Sequence, residues 1–334
     1  MKKKLLVLLL AISMIMMLAF AAGCSSQEAE PAEDAAEEAA EETAEEAEDD
    51  DENYETGDAS LDDPRNQDEI GDNEVLVVSF GTSFNDSRRL TIGAVEQAIE
   101  DAVGDEFSVR RGFTAQIIID HVLKRDGEKI DNVTEALDRA VDNGVKTLVI
   151  QPTHLMNGLE YDELTETLAG YADAFEKVEV GEPLLTSDDD FSRVADAMIE
   201  ATKDYDDGET AIVFMGHGTE AESNGIYEKM QGVMDSKGMT NYFIGTVEAE
   251  PSLEDVLAKV GEGSYKKVVL RPMMVVAGDH ANNDMADPED PESWYSQFTA
   301  AGYEVEAVLE GLGQIPAVQQ IYVEHAQAAI AKVK

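Results

Sequence analysis

Short β-branched runs alternate with stretches of helical spacing from Asn73 onwards, and the alternation restarts halfway along the chain. The strand-like run EVLVVSF at 74–80 precedes a helical stretch at 89–103, and the same order begins again with TAIVFMGHG at 210–218. Buried strands that alternate with helices are typical of parallel sheets covered on both faces. The pattern therefore predicts the α/β class, with two similar Rossmann-like lobes, a parallel sheet in each and a cleft between them.

An internal repeat supports the two-lobed interpretation. Residues 146–160, KTLVIQPTHLMNGLE, align with residues 266–280, KKVVLRPMMVVAGDH, at a constant offset of 120. This alignment places Pro152 on Pro272 and Glu160 on His280. If the two lobes face each other, Glu160 and His280 occupy related points on opposite walls of one cleft.

The first 70 residues have the composition of a targeting segment and a tether. Three lysines precede an apolar run at 5–22, and Ala22-Gly23-Cys24 resembles the lipobox of bacterial lipoproteins. The alternatives are an uncleaved anchor and simple secretion. All three place the folded part outside the cytoplasm, and the lipobox predicts an extracytoplasmic, membrane-anchored lipoprotein, in the periplasm or on the outer face of the cell membrane. The predicted divisions are a signal peptide at 1–23, a lipidated Cys24 with an acidic disordered linker at 24–70, an N-terminal lobe at 71–205 and a C-terminal lobe at 206–334.

Charge and cysteine content restrict the function. Residues 25–64 carry 19 Asp and Glu and no Lys or Arg, and the remaining 270 residues keep a net charge of −32. Such a surface predicts no nucleic-acid partner, because phosphate binding requires a basic footprint. Cys24 is the single cysteine, so the folded part has no disulfide, thiolate zinc site or cysteine nucleophile. Any metal must be held by His, Asp, Glu or the substrate.

Three of the five histidines follow predicted strands: His154, His217 and His280. Ligands of α/β sheets bind beyond the carboxyl ends of the strands. The glycines on both sides of His217 allow a sharp bend and close approach of a ligand, although a tight turn with an incidental histidine is the simpler alternative. His154 is either a further ligand or a strand-end histidine with satisfied hydrogen bonds, and the latter is favoured. His121 and His325 lie in amphipathic helices and are interpreted as packed or surface residues.

Acidic neighbours distinguish His280, which has Asp279 and Asp284 beside it. They raise the basicity of an imidazole and orient it, although Asn and Asp also cap helices in surface loops. Glu160 by itself is an exposed residue at a helix start, and the repeat relates it to His280. The sequence contains no Gly-x-Ser-x-Gly elbow and no phosphate-binding loop. Two histidines and a carboxylate at strand ends can accept protons or hold a divalent cation.

Four blocks resemble a known family in their order and spacing. They are VVSFGTSFNDSRRLTIGAVE, QPTHLMNGLEY, GHGTE and RPMMVVAGDHANNDMA, and they are similar to the anaerobic sirohydrochlorin cobaltochelatases, relatives of the class II ferrochelatases. The resemblance extends from about Asn73 to the C-terminus. It implies a tetrapyrrole bound between two lobes and nucleotide-independent insertion of Co²⁺ into sirohydrochlorin, with Fe²⁺ or Ni²⁺ as alternative metals and no permanently bound cofactor.

The resemblance also implies site residues. The two metal-site histidines of the family correspond to His217 and His280, and its glutamate position corresponds to Glu160, so these three are the expected catalytic and metal-binding residues. Sirohydrochlorin is a polycarboxylate and requires local positive charge. The predicted tetrapyrrole contacts are Ser79, Gly81, Thr82 and Arg88, with Ser83, Arg89, Arg110, Arg111 and Arg271 as further candidates.

One departure from the family leaves the role open. Cobalamin synthesis is cytoplasmic, whereas this chain has an export signal. A non-catalytic lipoprotein that binds a tetrapyrrole, haem or metal is the main alternative, and a generic two-lobed solute-binding protein is a third. The sequence also leaves open whether the chain forms a homo-oligomer.

Overall fold

The computed structural model of the protein describes residues 56–334. The predicted signal peptide, Cys24 and residues 25–55 of the predicted linker lie outside the described residues. No helix within residues 56–334 is long and apolar enough to cross a membrane. The described part contains eight strands: β1 Asn73–Ser79, β2 Ser108–Phe113, β3 Thr147–Pro152, β4 Lys177–Val180, β5 Thr210–Gly216, β6 Tyr242–Thr246, β7 Lys267–Pro272 and β8 Glu304–Ala307.

The helices alternate with these strands as the sequence predicts. Ten α-helices are present among the described residues: α1 Asn85–Leu90, α2 Ile92–Val103, α3 Gln116–Asp126, α4 Val133–Asp142, α5 Leu159–Ala169, α6 Asp188–Thr202, α7 Gly225–Ser236, α8 Leu253–Gly261, α9 Trp294–Ala300 and α10 Pro316–Val333. Local chemistry sets several helix starts. Asn132, Ser187 and Ser252 form capping boxes with an acidic residue three positions later, which satisfies backbone N–H groups that the first turn leaves free.

Two four-stranded parallel sheets confirm the predicted fold class. Their orders are β2-β1-β3-β4 and β6-β5-β7-β8, so the two lobes have the same topology. The register also agrees with the internal repeat, because Val78 of β1 pairs with Pro152 and Met215 of β5 pairs with Pro272. Strands such as 75–78 and 211–215 are buried throughout, as expected for parallel strands covered on both faces.

Residues 56–65 pack against the first lobe, which differs from the predicted disordered linker extending to residue 70. Asp62 forms ion pairs with Arg88 at 2.7 Å and with Arg111 at 2.6 Å, and its side chain is 2% exposed. Arg65 lies 3.3 Å from the buried Glu96, which also pairs with Arg111. The acidic composition indicated a solvated chain. However, Asp62 and Arg65 pair with buried residues that lie far away in the sequence, and the local pattern does not reveal these partners.

The C-terminal helix returns to the first sheet. Although α10 follows β8 in the chain, it packs on α2, α6, β3 and β4. The buried Tyr322 hydroxyl of α10 donates a hydrogen bond of 2.7 Å to the carbonyl of Thr153, just beyond β3. One apolar core thus combines residues of both lobes, including Val77, Phe214 and Ile321. The lobe boundary predicted between residues 205 and 206 stays a prediction. Although α10 follows this boundary in the sequence, it packs against the N-terminal lobe.

Candidate metal site

His217 and His280 lie side by side at the carboxyl edge of the second sheet. His217 follows β5 directly, and His280 follows the loop that leaves β7. Their ring centroids are 4.5 Å apart, and the rings are nearly perpendicular at 86°. The predicted pair of strand-end histidines is therefore brought together by the adjacent positions of β5 and β7 in the sheet.

The two glycines around His217 are required by their neighbours. A methyl group on Gly216 would lie 2.1 Å from the ring of Tyr227. Gly218 has a φ of +93°, which L-residues rarely adopt, and a Cβ there would lie 2.9 Å from Thr246. The Tyr227 hydroxyl also accepts a hydrogen bond of 3.2 Å from the Gly218 N–H. The glycines thus let the chain bend tightly over Tyr227 and present the half-exposed imidazole of His217.

Hydrogen bonds determine which ring nitrogens remain available. His217 Nδ1 lies 2.9 Å from the carbonyl oxygen of Gly218, and His280 Nδ1 lies 2.7 Å from Oδ2 of Asp284. A carbonyl and an ionised carboxylate accept hydrogen bonds, so Nδ1 carries the proton in both neutral rings. The Nε2 atoms therefore keep their lone pairs, which a metal ion or a proton can use.

Asp284 also tunes the basicity of His280. Partial burial disfavours the charged imidazolium, but the hydrogen bond and charge of Asp284, with smaller contributions from Asp279 and Glu248, outweigh it and raise the pKa of His280. A metal ion must therefore displace a proton from His280 at mildly acidic pH.

Replacing Asp284 with asparagine is expected to separate these effects. The pKa of His280 should fall, so Co²⁺ binding should begin at a lower pH, while weaker orientation of the ring should reduce the affinity above pH 8 by about tenfold. Titration of the purified protein with Co²⁺ between pH 5 and 8.5 measures both. An unchanged midpoint would show that Asp284 does not control the proton on His280.

Glu248 completes a group of three metal-binding side chains. Within residues 56–334, ligand atoms of His217, Glu248 and His280 lie within 4.8 Å of one another. The Oε2 atom of Glu248 is 3.5 Å from Nδ1 of His217. Sequence reasoning missed Glu248, although it follows β6, which lies next to β5, and strand ends at one sheet edge are where ligands gather.

Glu160 lies elsewhere, in the first turn of α5, beside His154. Its Oε2 is 3.5 Å from His154 Nε2. Its side chain is 46% exposed, yet the crowded surroundings remove much of its solvation, which together with the neighbouring Glu163 raises its pKa to about 7. The metal-binding role predicted for Glu160 stays a prediction, and the group of ligands close to His217 and His280 contains Glu248.

The loop after β1 contacts the loop that carries His280. Gly81 has a φ of +111°, and a Cβ there would lie 2.6 Å from the Phe113 ring, so the turn requires glycine, and its predicted contact with the tetrapyrrole stays a prediction. The Thr82 hydroxyl oxygen would lie 3.0 Å from a Cβ on Gly278. Ser79 is buried, with its hydroxyl 2.6 Å from that of Thr153. The structure therefore places Thr82 at the junction of the lobes and encloses Ser79 behind it.

The arginines in the predicted anion-binding set are largely engaged inside the protein. Arg88 is fully buried and pairs with Asp62 and Glu128. Arg110 lies 2.7 Å from Glu74. The remaining pairs are Arg111 with Asp62 and Glu96, Arg271 with Glu310, and Arg89 with Asp86. Their internal partners, which the sequence pattern did not reveal, make Arg88, Arg110 and Arg111 structural in this fold.

Comparison with known families decides the relationship. The family model described as "Cobalt chelatase (CbiK)" matches residues 73–331. The chain belongs to the cobalt chelatase family. The match begins at Asn73, where the resemblance of the four sequence blocks also starts, and it includes His217, Glu248 and His280.

Relatives of this family agree over most of the folded part. A "Sirohydrochlorin cobaltochelatase" of Salmonella typhimurium is 33% identical over 256 residues, which cover 77% of this chain and 96% of the relative. "Sirohydrochlorin cobaltochelatase CbiKC" of Nitratidesulfovibrio vulgaris is 30% identical over 258 residues, covering 77% and 90%. Among solved structures, SirB from Bacillus subtilis with Fe³⁺ superposes with a TM-score of 0.57 at 12% identity, over 79% of this chain and 97% of SirB. This last likeness concerns the fold.

Proposed function

We propose that the protein is a sirohydrochlorin cobaltochelatase, which inserts Co²⁺ into the tetrapyrrole without a nucleotide. Membership of the cobalt chelatase family and the names of two relatives support this proposal. The observation that carries it is the close group of His217, Glu248 and His280 at the carboxyl edge of the second sheet. Imidazole and carboxylate ligands suit Co²⁺, and the two available Nε2 atoms can hold a cation that still needs ligands from a macrocycle.

The chemistry requires a metal donor and a proton acceptor. Co²⁺ enters the ring as two pyrrole N–H bonds break and bonds to the ring nitrogens form, so two protons leave and no electron is transferred. The three side chains hold the partly dehydrated cation as substrate and release it when the ring nitrogens replace them. A tetrapyrrole bound in a bent form would expose its nitrogen lone pairs to that cation.

Glu160 is suited to receive a released proton. Its pKa of about 7 leaves the carboxylate a useful base near neutral pH. Its helix begins close to the second lobe, since a Cβ on Gly158, the N-cap of α5, would lie 3.9 Å from Ser223 Oγ. We therefore assign Glu160 to proton acceptance from the wall opposite the histidines.

Two exposed apolar side chains of the first lobe can contact the face of a macrocycle. Phe80, which follows β1, and Leu159, which opens α5, are 47% and 70% exposed. An apolar ring face can cover them and gain about 25 cal/mol for each Å² removed from water. Such contacts offset the unfavourable approach of a polycarboxylate to a strongly acidic protein.

Anaerobic absorbance spectroscopy of the purified protein with sirohydrochlorin and Co²⁺ tests the proposed function. We expect several molecules of cobalt-sirohydrochlorin for each molecule of protein. A spectrum of bound tetrapyrrole without turnover would overturn the chelatase and support the tethered binding protein instead. Substituting Fe²⁺ and Ni²⁺ for Co²⁺ measures metal preference.

The proposed location is the outer face of a membrane, with the chain held by a lipid on Cys24. The apolar run at 5–22 and the lipobox-like Ala22-Gly23-Cys24 support this proposal. Two chains of lipid give stable anchoring. A homo-oligomer also stays a prediction, which light scattering of the purified protein can test.

Replacing Cys24 with serine is expected to move the protein from the membrane fraction to the soluble fraction. The hydroxyl of serine is not a substrate for thioether lipidation, so the detergent-phase partitioning of the native protein should be lost. Fractionation and labelling with a radioactive fatty acid measure the effect. Equal membrane retention of the variant would favour an uncleaved anchor at 5–22.

A further inference from the structure

His154 is a buried histidine without a hydrogen-bond partner for either ring nitrogen among the described residues. It follows β3 by two residues, at the carboxyl edge of the first sheet, and its side chain is 6% exposed. A buried polar group without a partner costs about 1–3 kcal/mol. An apolar ring of similar size would avoid that cost, so packing alone does not account for an imidazole at this position.

The nearest polar group is the carboxyl of Glu160, with 3.5 Å between Nε2 and Oε2. This distance is slightly too long for a good hydrogen bond, and a small rotation of the exposed Glu160 side chain would close it. Desolvation lowers the pKa of His154 to about 4, so the ring is neutral near pH 7. Desolvation, together with the charge of Glu163, raises the pKa of Glu160.

A neutral imidazole suits a carboxyl that must change its protonation state. An Arg or Lys in this place would hold Glu160 but would also stabilise the ionised form and weaken it as a base. A neutral histidine with its proton on Nε2 can donate to the carboxylate and, after proton transfer, to the carbonyl oxygen of the carboxylic acid. It can therefore hold the carboxyl before and after proton transfer.

The backbone of His154 is held firmly. Its carbonyl accepts a hydrogen bond of 3.0 Å from the N–H of Leu184 and lies 3.4 Å from the hydroxyl of Tyr322. The same hydroxyl donates to Thr153 at 2.7 Å. By contrast, the side chain of Glu160 is 46% exposed. The fixed partner is therefore His154, and the side chain that needs orienting is Glu160.

We propose that His154 is a positioning residue, which holds the Glu160 carboxyl toward the point where the pyrrole protons leave. This inference rests on the proposed chelatase function and on the proton-accepting role of Glu160. It assigns to His154 no contact with the metal or the tetrapyrrole.

A double-mutant cycle tests the inference. His154→Phe keeps a flat ring and removes both nitrogens, and Glu160→Gln removes the base. We expect kcat for His154→Phe to fall about tenfold or more, with the same affinity for Co²⁺, since the three metal-binding residues are intact. In the Glu160→Gln background His154→Phe should cause no further loss of kcat, because the effects of substitutions at coupled residues are not additive. His154→Gln, which keeps a neutral hydrogen-bonding group, should restore kcat to within about threefold of the wild type.

The outcomes distinguish failure of the proposed chelatase function from failure of the positioning role of His154. Absence of turnover in the wild type would overturn the proposed function. The positioning role would be wrong, with the chelatase function intact, if either His154→Phe or Glu160→Gln kept the wild-type rate. It would also be wrong if His154→Phe caused equal losses of rate in the wild-type and Glu160→Gln backgrounds. Thermal unfolding checks the fold, and His154→Leu replaces the phenylalanine variant in the cycle if that variant does not fold.

Discussion

Replacement of either His217 or His280 with alanine is expected to lower the rate of cobalt insertion by at least about 100-fold. Each substitution removes one of two imidazoles whose ring centroids are 4.5 Å apart, which leaves one imidazole and the Glu248 carboxylate to hold the cation. The affinity for Co²⁺ should fall as well. Anaerobic initial rates with sirohydrochlorin, together with calorimetric titration of Co²⁺, measure both effects.

His325 provides a matched histidine control. It is held by the Glu182 carbonyl at 3.1 Å and by Asp190 at 3.3 Å, outside the metal-binding group. His325→Ala should therefore leave the rate per folded molecule unchanged. A wild-type rate in both His217→Ala and His280→Ala would remove these residues from the mechanism.

Glu248 offers a second comparison in the same assay. Glu248→Gln keeps the shape of the side chain but loses the anionic ligand, so Co²⁺ affinity is expected to fall about 10- to 100-fold. The exposed Glu262, just beyond α8, is the control for loss of a charge. If Glu248→Gln and Glu262→Gln bind Co²⁺ equally well, the third ligand is not Glu248.

Asp62→Asn is expected to destabilise the protein by about 3–5 kcal/mol. The carboxylate of Asp62 bridges the buried guanidinium groups of Arg88 and Arg111, and its removal leaves positive charge in the interior without full compensation. Urea denaturation followed by circular dichroism measures the free energy of unfolding. A chain that begins at residue 66 lacks this carboxylate and also Arg65, which pairs with Glu96, so it should be at least as unstable.

The exposed Asp58 is the control in the same segment. It accepts a hydrogen bond from the N–H of Ser60, a role that asparagine can also fill. Asp58→Asn should thus leave the free energy of unfolding almost unchanged. Equal stability of Asp62→Asn and the wild type would show that residues 56–65 do not stabilise the first lobe.

The same ion pairs should make the free energy of unfolding decrease at acid pH. Burial alone would raise the pKa of Asp62, but hydrogen bonds and charge from Arg111 and Arg88 outweigh it and lower the pKa below its ordinary value of 3.8. The stabilisation is therefore complete above pH 3.8 and is lost as the pH falls through the lower pKa of the folded state. The stability of Asp62→Asn should lack this acid-dependent decrease.

Local pattern was sufficient for the strands, the helices and the two histidines. Periodicity identifies buried parallel strands from a few neighbouring residues, and in such a sheet the strand ends share one edge. His217 and His280 could therefore be predicted to meet, and the repeat predicted the matching registers of Pro152 and Pro272. The four sequence blocks also identified the family, because their residue types recur in a fixed order.

Tertiary structure decided which charges the site uses. Glu248 lies close to the two histidines because β6 is next to β5 in the sheet. Glu160, by contrast, lies beside His154. Arg111 found a partner 49 residues earlier in Asp62, and the C-terminal helix returned to the first sheet through Tyr322. The chain by itself determined the order of strands and helices and the chemistry at the strand ends, because both depend on neighbouring residues. The pairing of distant ionic groups depends on burial and packing, which exist once the lobes have formed.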